Sequence, residues 1–464
     1  MRRIAGGLER EGIGPGDRVA LFLPNRPGML LLLLALARRG ACAVLLNTRF
    51  RAAELGSLLA RARPSAIAVA RDFAPVDAAA VLGSVPEEAR ASLRFAIGVD
   101  ALGEGELAGL KVRPLAALAN GGEARDQAAP GAECLTFTTS GTTAGPKLVL
   151  HRQRSIARHA AEVAAWIGTD APGAAFLAAV PLCGTFGLAA AMAALAGGAA
   201  IHPMERFEAA EADAIIRRAG VTHLVGGDDL LLMLAEAAGG RPYAPFAFTG
   251  FANFHGNAER VMEASARLNL AVRGVYGSSE AQALFALQDP AGPHAATGGG
   301  IPASGEAGFA VAEDGELLLR GPSLFDRYLG DSAATARART EDGWFRSGDL
   351  ASMQPDGRGF DFQTRAGDAL RLGGFLVAPE EIESFLLARP GVTAAQVVAH
   401  EGRAVAFILP GAGFDEAAIL SACTAQLARF KVPARIVTLD EFPTTDGPNG
   451  RKVQRARLRE MAAA

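Results

Sequence analysis

Short apolar segments alternate with segments of helical periodicity through most of this chain. Residues 18–23, 41–46 and 66–70 are strand candidates, and residues 27–39 between them have the apolar spacing of a helix. The same alternation recurs at residues 176–180, 223–225 and 270–275. Strands separated by helices predict parallel sheets covered by helices. At 464 residues the chain is too long for one compact core, which predicts about three domains or subdomains.

The strand candidates become shorter and are separated by glycine towards the carboxyl end. Residues 316–320 and 359–362 are shorter strand candidates punctuated by glycine. After residue 365, Pro379 opens a predicted helix with Ile382, Phe385 and Leu386 at core spacing, and a strand at 404–409 and a helix at 416–427 follow. The predicted fold is therefore α/β, a large N-terminal core of helix-covered sheets followed by a small α+β C-terminal domain.

Residues 174–201 contain no charged side chain and reach the length of a membrane-spanning helix. Pro181, Gly184, Gly187, Gly197 and Gly198 interrupt the segment. Such residues mark turns and ends of elements, so the segment predicts a buried strand, a loop and a buried helix. No membrane span is expected.

Charge and cysteine usage exclude several other classes of protein. The net charge is −3, the isoelectric point is about 6.2, and no acidic or basic tail is present, so no nucleic-acid partner is expected. Glycines and glutamates follow Met1 in place of an apolar core, so no secretion signal is predicted. The cysteines lack a CxxC pair, which argues against a disulfide framework or zinc site and favours a cytoplasmic location: Cys42, Cys134, Cys183 and Cys423.

Residues 135–151, LTFTTSGTTAGPKLVLH, combine hydroxyls, glycines and one lysine between apolar segments. Lysine occurs at only four positions, so 42 of the 46 basic residues are arginine. In a chain that uses arginine for most positive charges, a lysine indicates a role that needs a compact charge. For Lys147 the predicted role is to bind phosphate. The loop is not a Walker sequence, because Pro146 precedes Lys147 and no serine or threonine follows it. A polar connection between two strands is the alternative.

Five segments in a fixed order resemble the adenylate-forming superfamily, which includes acyl-CoA synthetases, nonribosomal-peptide adenylation domains and luciferases. They are TTSGTTAGPK at 138–147, YGSSE at 276–280, GWFRSGDL at 343–350, TRAGDALRLGGFLVAPEEIE at 364–383, and FKVP at 430–433 with GRKVQRARLR at 450–459. The resemblance implies an AMP-binding core at residues 1–364, a mobile lid at 365–464 and a hinge near 365–368.

The resemblance also implies an activity. ATP would activate a carboxylic acid as an acyl-adenylate, and coenzyme A would then accept the acyl group, which yields acyl-CoA, AMP and pyrophosphate. Magnesium would be required, fatty acid metabolism is one setting, and a homodimer is one assembly. Two alternatives stay open: a stand-alone adenylation enzyme that loads a carrier protein, and a noncatalytic protein that binds a nucleotide or acyl ligand.

Residue roles follow from the same resemblance. Lys452 matches the mobile lysine of the first half-reaction, Lys147 would hold phosphate, and Glu280 would bind Mg²⁺ together with Thr139. Alone, the segment around Lys452 would be interpreted as a basic, solvated helix. The residues implied to contact ATP or AMP are Thr139, Ser140, Gly141, Thr142, Thr143, Gly250, Phe251, Ala252, Tyr276, Gly277, Ser278, Ser279, Asp349 and Arg365.

The acyl substrate is predicted from the walls of the implied pocket. Segments 183–187, 249–255 and 281–284 are mostly small, apolar or aromatic, which favours an aliphatic, alicyclic or aryl acid over an amino acid. The implied acyl-pocket residues are Cys183, Gly184, Phe186 and Phe254. Gly367 would be the pivot of the lid, and Gly373 and Gly374 would admit the backbone close to the thiol cofactor.

Overall fold

The computed structural model describes the backbone of residues 1–139, 146–252, 258–290, 292, 295–296, 298–365, 370–377, 379–447 and 450–463. Within these ranges, the side chains at 259, 364, 365, 376, 380, 384, 444–447, 450–452 and 456 are not described. Contacts divide the chain into two compact units. The first contains Met1–Thr48, Leu59–Thr138 and Leu148–Ala366, and the second contains Arg49–Leu58, Thr139–Lys147 and Gly367–Ala464.

Helices and strands alternate through most of the described chain. The helices are α1 (Arg2–Arg10), α2 (Pro27–Arg38), α3 (Ala52–Ala62), α4 (Ala78–Gly83), α5 (Glu87–Arg90), α6 (Leu115–Leu118), α7 (Gln153–Ile167), α8 (Thr185–Gly197), α9 (Ala209–Ala219), α10 (Asp228–Ala238), α11 (Ala258–Leu268), α12 (Ser332–Arg337), α13 (Pro379–Leu387), α14 (Glu416–Gln426) and α15 (Arg455–Ala463). The strands are β1 (Arg18–Phe22), β2 (Cys42–Leu45), β3 (Ala66–Val69), β4 (Phe95–Gly98), β5 (Gly105–Leu107), β6 (Leu110–Pro114), β7 (Glu133–Thr139), β8 (Lys147–Arg152), β9 (Ala175–Ala178), β10 (Ala200–Pro203), β11 (His223–Gly227), β12 (Phe248–Ala252), β13 (Val272–Ser278), β14 (Gln282–Leu287), β15 (Gly299–Pro302), β16 (Gly308–Val311), β17 (Glu316–Arg320), β18 (Arg327–Tyr328), β19 (Phe345–Met353), β20 (Phe360–Arg365), β21 (Leu370–Leu372), β22 (Phe375–Val377), β23 (Val392–His400), β24 (Arg403–Pro410), β25 (Arg435–Thr438), β26 (Thr444–Gly447) and β27 (Gly450–Val453).

Two large sheets are formed by the strands up to β20. Among the described residues, one sheet has the order β18-β8-β7-β2-β1-β3-β4-β6-β5, and the other has the order β10-β9-β11-β12-β13-β14-β15-β20-β19-β17-β16. Strand β1 pairs in parallel with both β2 and β3, and β12 pairs in parallel with both β11 and β13. The strands β1 to β4 are almost wholly buried, as expected for parallel strands covered on both faces. The predicted α/β fold is confirmed.

The uncharged segment at 174–201 folds as predicted. It contains strand β9, a loop, helix α8 and the start of strand β10. Helix α8 is capped by Gly198, whose φ of 81° lies in the left-handed region. Throughout the described ranges, no helix is long and apolar enough to cross a membrane.

The carboxyl-terminal part of the chain forms the predicted α+β arrangement. Strands β23, β24 and β25 make one sheet, and β21–β22 and β26–β27 are hairpins. Helix α13 buries Ile382 and Leu386 in the core of this region, and Phe385 packs against the same core half-buried, which agrees with the predicted core spacing. The interpretation of the region around Lys452 as a helix is wrong for this residue: Lys452 lies on β27 opposite Thr445, and helix α15 begins only at Arg455.

Lys431 has a structural role inside the second unit. Its ammonium lies 2.6 Å from Glu381 Oε1 and 3.4 Å from Glu54 Oε1, and its side chain is only 4% exposed. Glu54 Oε1 also accepts the backbone N–H of Ala428 at 2.8 Å. The compact charge of this lysine is therefore used between two carboxylates.

Candidate functional site

The carboxyl ends of parallel strands β12 and β13 meet at one edge of the second sheet. The register pairs Gly250 with Arg273 and Phe251 with Gly274, so β12 ends beside the last residues of β13. Ligands of open α/β sheets bind at this edge. Phe251 is fully buried in the core, which leaves its backbone as the group able to contact a ligand; Gly250 and Ala252 flank it on the same strand.

The YGSSE segment makes a tight, irregular turn between β13 and β14. The antiparallel register shifts between Tyr276 and Ser278, a bulge of the kind found beside active sites. A Cβ at Gly277 would lie 2.4 Å from Gln282 O, so only glycine fits. Ser278 Oγ accepts the backbone N–H groups of Glu280 and Ala281 at 3.2 and 3.1 Å. This bonding holds Ser279 and Glu280 in one conformation.

Tyr276 and Asp349, which are far apart in sequence, meet in the fold. The hydroxyl of Tyr276 donates to Asp349 Oδ2 at 2.7 Å, and both side chains are buried. The Tyr276 ring packs edge-on against Phe360 at a centroid distance of 5.1 Å and lies 6.1 Å from Phe362. Tyr276 and Asp349, which are both implied to contact ATP or AMP, are thus joined by a charge-assisted hydrogen bond.

The backbone around Asp349 is held by neighbouring polar groups. Gly348 has φ 69°, and its N–H donates to Glu316 Oε1 at 3.0 Å. Ser347 Oγ accepts the N–H of Asp349 at 3.0 Å. Arg365, the last residue of β20, is the register partner of Asp349. Asp349 and Arg365, which are both implied to contact ATP or AMP, therefore lie on adjacent antiparallel strands.

Glu280 is held by a residue that the sequence did not single out. Tyr328 donates its hydroxyl to Glu280 Oε1 at 2.8 Å, and Glu280 is 8% exposed. Within the described chain, Glu280 Oε2 has no hydrogen bond. Glu280 Oε2 could therefore be a ligand of Mg²⁺. This ion takes few protein ligands and completes its coordination shell with phosphate and water oxygens. The described residues contain no cluster of three histidine, cysteine or carboxylate side chains for a closed metal cage.

The predicted phosphate loop connects two neighbouring strands of the first sheet. Thr139 is the last residue of β7 and Lys147 is the first residue of β8. Ser140, Gly141, Thr142 and Thr143 lie outside the described residues, so their predicted phosphate contacts stay predictions.

His151, at the far end of the same segment, connects the loop strand to the YGSSE turn. Its Nε2–H donates to the carbonyl of Ser279 at 2.7 Å, and the ring packs edge-on against Phe137. Complete burial lowers the pKa of His151 to about 4, opposed in part by the bond to Ser279. The imidazole is therefore neutral at physiological pH and acts as a positioning residue.

A pH dependence of stability follows from His151. Its folded pKa of about 4 lies below the unfolded value, so stability is present above about pH 6.5 and is lost as pH falls towards 4. In His151→Gln the side-chain amide can still donate to the Ser279 carbonyl, but it does not titrate. The free energy of unfolding should therefore fall less between pH 8 and pH 5 than in the unsubstituted protein, by about 2 kcal/mol. Urea unfolding at the two pH values measures this difference, and equal losses in both proteins would contradict it.

Two of the implied acyl-pocket segments are joined in the first unit. Thr185 Oγ1 accepts the backbone N–H of Ala283 at 3.0 Å, which connects the start of α8 to β14. Cys183 is buried, Gly184 caps α8 and Phe186 lies half-buried in its first turn. Phe254 lies outside the described residues.

Asn25 supports this region, although the sequence did not mark it. Its amide donates to the carbonyls of Ala178 and Val180, both at 2.9 Å, and its oxygen accepts the N–H of Leu182 at 2.7 Å. One buried side chain thus satisfies three backbone groups of the loop that leads to Cys183.

The implied coenzyme A and lid residues belong to the second unit. Gly373 and Gly374 have φ 54° and 83° and form the two-residue turn between β21 and β22. A turn with positive φ at both positions strongly favours glycine, so the hairpin accounts for these residues by itself. Gly367 lies outside the described residues, and for Lys452 only the backbone position is described.

Comparisons with known proteins agree with this arrangement. The family model for the AMP-binding enzyme matches residues 1–329, and the model for the AMP-binding enzyme C-terminal domain matches residues 381–447. The chain is 31% identical to the 3-[(3aS,4S,7aS)-7a-methyl-1,5-dioxo-octahydro-1H-inden-4-yl]propanoyl:CoA ligase of Mycobacterium tuberculosis, over 97% of this chain and 90% of that protein. It is 30% identical to the 2-succinylbenzoate–CoA ligase of Geobacillus kaustophilus, over 94% and 86% of the two chains.

Solved structures show the same fold. O-succinylbenzoate CoA synthetase from Bacillus subtilis, bound to a product analogue, superposes with a TM-score of 0.81 at 21% identity, covering 99% of this chain and 91% of that one. A malonyl-CoA ligase with methylmalonyl-CoA and AMP bound has a TM-score of 0.73 at 26% identity, covering 95% and 94%. The chain therefore belongs to the AMP-binding enzyme family, and it is an AMP-forming acid–thiol ligase that uses ATP, Mg²⁺ and coenzyme A to convert a carboxylic acid into its acyl-CoA.

Proposed function

We propose that the substrate is an apolar carboxylic acid of alicyclic, aryl or aliphatic type. The observation that carries this proposal is the Thr185–Ala283 hydrogen bond, which brings together the segments 183–187 and 281–284. Neither segment contains a charged residue. The relatives whose names include a bicyclic propanoyl group and a succinylbenzoate support a cyclic acyl group.

The proposed chemistry assigns the following roles to this chain. Tyr276 and Asp349 would hold the adenosine, Asp349 by accepting ribose hydroxyls, for which an acceptor-only carboxylate is suited. Lys147 and the adjoining hydroxyl loop would hold the leaving pyrophosphate, and Lys452 would bridge carboxylate and phosphate oxygens. When bound at Glu280, Mg²⁺ would offset the negative charge of the phosphates. Positioning of the acid oxygen in line with the α-phosphorus is then the main contribution of the site.

The substrate class is tested by pyrophosphate release. Purified protein with Mg-ATP is given matched acids, namely phenylpropanoate, cyclohexylpropanoate, octanoate, malonate and sulfoacetate, with and without coenzyme A, and the products are read by mass spectrometry. Acyl-CoA from the first three acids supports the proposal. Turnover only with malonate or sulfoacetate would overturn the apolar assignment, and acyl-AMP that accumulates despite coenzyme A would indicate a carrier-protein acceptor.

Removing one hydroxyl tests the role of the Tyr276–Asp349 pair. For Tyr276→Phe the ring stays but Asp349 loses a donor, so we expect KM for ATP to rise about ten-fold while kcat changes less. Tyr243→Phe is a matched control, because Tyr243 donates to Asp213 at 2.8 Å in another buried tyrosine–aspartate pair. If both variants raised KM equally, the ATP effect would not be specific to Tyr276.

We also propose the domain boundary implied by the sequence, with a core at residues 1–364, a lid at 365–464 and a hinge near 365–368. A hinge residue absorbs a large φ/ψ change, which glycine does at low cost and proline does not. Gly367→Pro should therefore slow thioester formation several-fold more than adenylate formation. Separate assays of the two half-reactions measure this, and an equal loss in both would count against the hinge.

We propose two further properties, the cellular location and the assembly of the chain. Among the described residues the four cysteines form no disulfide, and all four are buried, which supports a cytoplasmic location. A homodimer of the 47.8 kDa chain is tested by light scattering of the purified protein.

A further inference from the structure

A cavity of about 310 Å³ in the first unit has four arginines among the eleven residues that line it. Among the described residues, Arg152, Arg154, Arg320 and Arg339 contribute to its wall, together with Asp326 as the one carboxylate. None of these belongs to the residues assigned to the nucleotide or the acyl group. The lining carries an excess of three positive charges.

The single carboxylate of the cavity is already engaged. Asp326 accepts two hydrogen bonds from Arg152, at 2.6 and 3.0 Å, and it also pairs with Arg327. Burial alone would raise the pKa of Asp326, but hydrogen bonds from these arginines hold it below its ordinary value. Asp326 therefore stays ionised and neutralises Arg152, and it leaves the other three arginines of the wall uncompensated.

Those three guanidinium groups have no carboxylate partner within the described residues. Arg339 donates to the carbonyls of Phe325 and Asp326 at 3.0 and 3.3 Å and lies over the Phe325 ring. The Arg320 guanidinium lies 4.5 Å from the centre of the Trp344 ring. Stacking and carbonyl contacts orient a guanidinium without neutralising it. Arg154 is exposed in the first turn of α7, where the helix dipole adds further positive potential.

Backbone groups of α7 do not complete the site. The N–H groups of Gln153 and Arg154 already donate to Ala132 and Pro130, at 3.0 and 3.1 Å. A ligand would thus be held by the side-chain guanidiniums, whose planar forks match two oxygens of a phosphoryl group. The volume is at the lower end of the range for small-molecule sites, which suits one or two phosphoryl groups more than a whole nucleotide.

We propose that this arginine cavity is a second anion site that binds phosphoryl groups, supplied either by free pyrophosphate or by coenzyme A. The site is independent of the substrate class proposed above. Because Trp344 lies under Arg320, it is a built-in reporter of occupancy, and the chain has only one other tryptophan, Trp166.

The test is a fluorescence titration of Trp166→Phe, without ATP, acid or Mg²⁺ and at constant ionic strength. Sodium pyrophosphate and coenzyme A are titrated separately. We expect saturable quenching of Trp344 by at least one of them, and an affinity reduced about ten-fold or more by Arg320→Gln or Arg154→Gln. Both arginines are exposed, so these variants should fold, which circular dichroism checks. Pyrophosphate binding alone would identify the free anion as the source, and coenzyme A binding alone would identify the cofactor.

Two controls keep the result specific. Arg218→Gln removes an exposed arginine of α9 that does not line the cavity, and it should leave the affinity unchanged. Lys147→Ala tests the predicted phosphate loop as the source of the signal. Quenching that is abolished by Lys147→Ala but insensitive to Arg320→Gln and Arg154→Gln, or no saturable quenching with either probe, would overturn the proposal.

Discussion

Replacing Glu280 with glutamine is expected to reduce kcat for pyrophosphate release by about 10²–10³-fold. Glutamine keeps the size of the side chain, and its oxygen can still accept the hydroxyl of Tyr328, which lies 2.8 Å from Glu280 Oε1. The variant should therefore fold but lose the negative charge that Mg²⁺ requires. The Mg²⁺ concentration for half-maximal rate should rise, and steady-state assays at increasing Mg²⁺ measure both effects.

The neighbouring hydroxyl provides a graded comparison. Tyr328→Phe keeps the Glu280 carboxylate but removes the hydroxyl that orients it. We therefore expect a smaller loss of kcat than in Glu280→Gln, about ten-fold, and a smaller rise in the Mg²⁺ concentration for half-maximal rate. Glu162→Gln is a control for the loss of a carboxylate in the same unit. Glu162 lies on α7 and, like Glu280, accepts a hydrogen bond from a side-chain hydroxyl, that of Ser304 at 2.9 Å. An undiminished rate in Glu280→Gln, or an unchanged Mg²⁺ requirement, would rule out Glu280 as the metal ligand.

Replacing Lys431 with methionine is expected to lower the free energy of unfolding by about 3–5 kcal/mol. Methionine fills most of the space of the lysine stem but leaves Glu54 and Glu381 without their shared cation. Glu54 is buried and lies 3.4 Å from the lysine ammonium. Removing one partner from a buried ion pair lowers the free energy of unfolding by more than the pair itself contributes, because the remaining charge is neither paired nor solvated. Urea unfolding measures the change, and Lys111→Met, at an exposed lysine, is the matched control.

The pH dependence of the Lys431→Met defect has a definite sign. Burial raises the pKa of Glu54, and Lys431 opposes that rise. A raised folded pKa means that the contribution of Glu54 is present below its unfolded pKa and is lost as pH rises through the folded pKa. Without Lys431 the free energy of unfolding falls further as the pH rises. The difference in stability between Lys431→Met and the unsubstituted protein should therefore be smaller at pH 5 than at pH 8. Glu54→Gln in the Lys431→Met background should recover part of the stability; no recovery would contradict the ion-pair explanation.

Local pattern was sufficient for most elements of the fold. Strand β17 has the predicted bounds 316–320, and helix α13 starts at Pro379 as predicted. These predictions succeed because apolar periodicity and proline or glycine punctuation are properties of neighbouring residues. The motif residues Tyr276, Glu280 and Asp349 had a different source, the resemblance of short segments in a fixed order to a known family, and their roles stay predictions.

Contacts across the fold were decided by tertiary structure alone. Tyr328, His151 and Asn25 carry no local signal, yet each satisfies a group far away in sequence: Glu280, the Ser279 carbonyl and the 178–182 loop. Likewise, nothing in FKVP indicates that Lys431 meets Glu54, 377 positions earlier. The sequence by itself determined the α/β class, the element order and the family motifs, because these depend on composition and spacing. Only the tertiary structure decided which buried polar groups pair, because burial makes each unpaired polar group costly and so selects partners by proximity in space. It also decided where arginines have no carboxylate partner among the described residues: Arg154 and Arg320 are exposed, so water can solvate their charges.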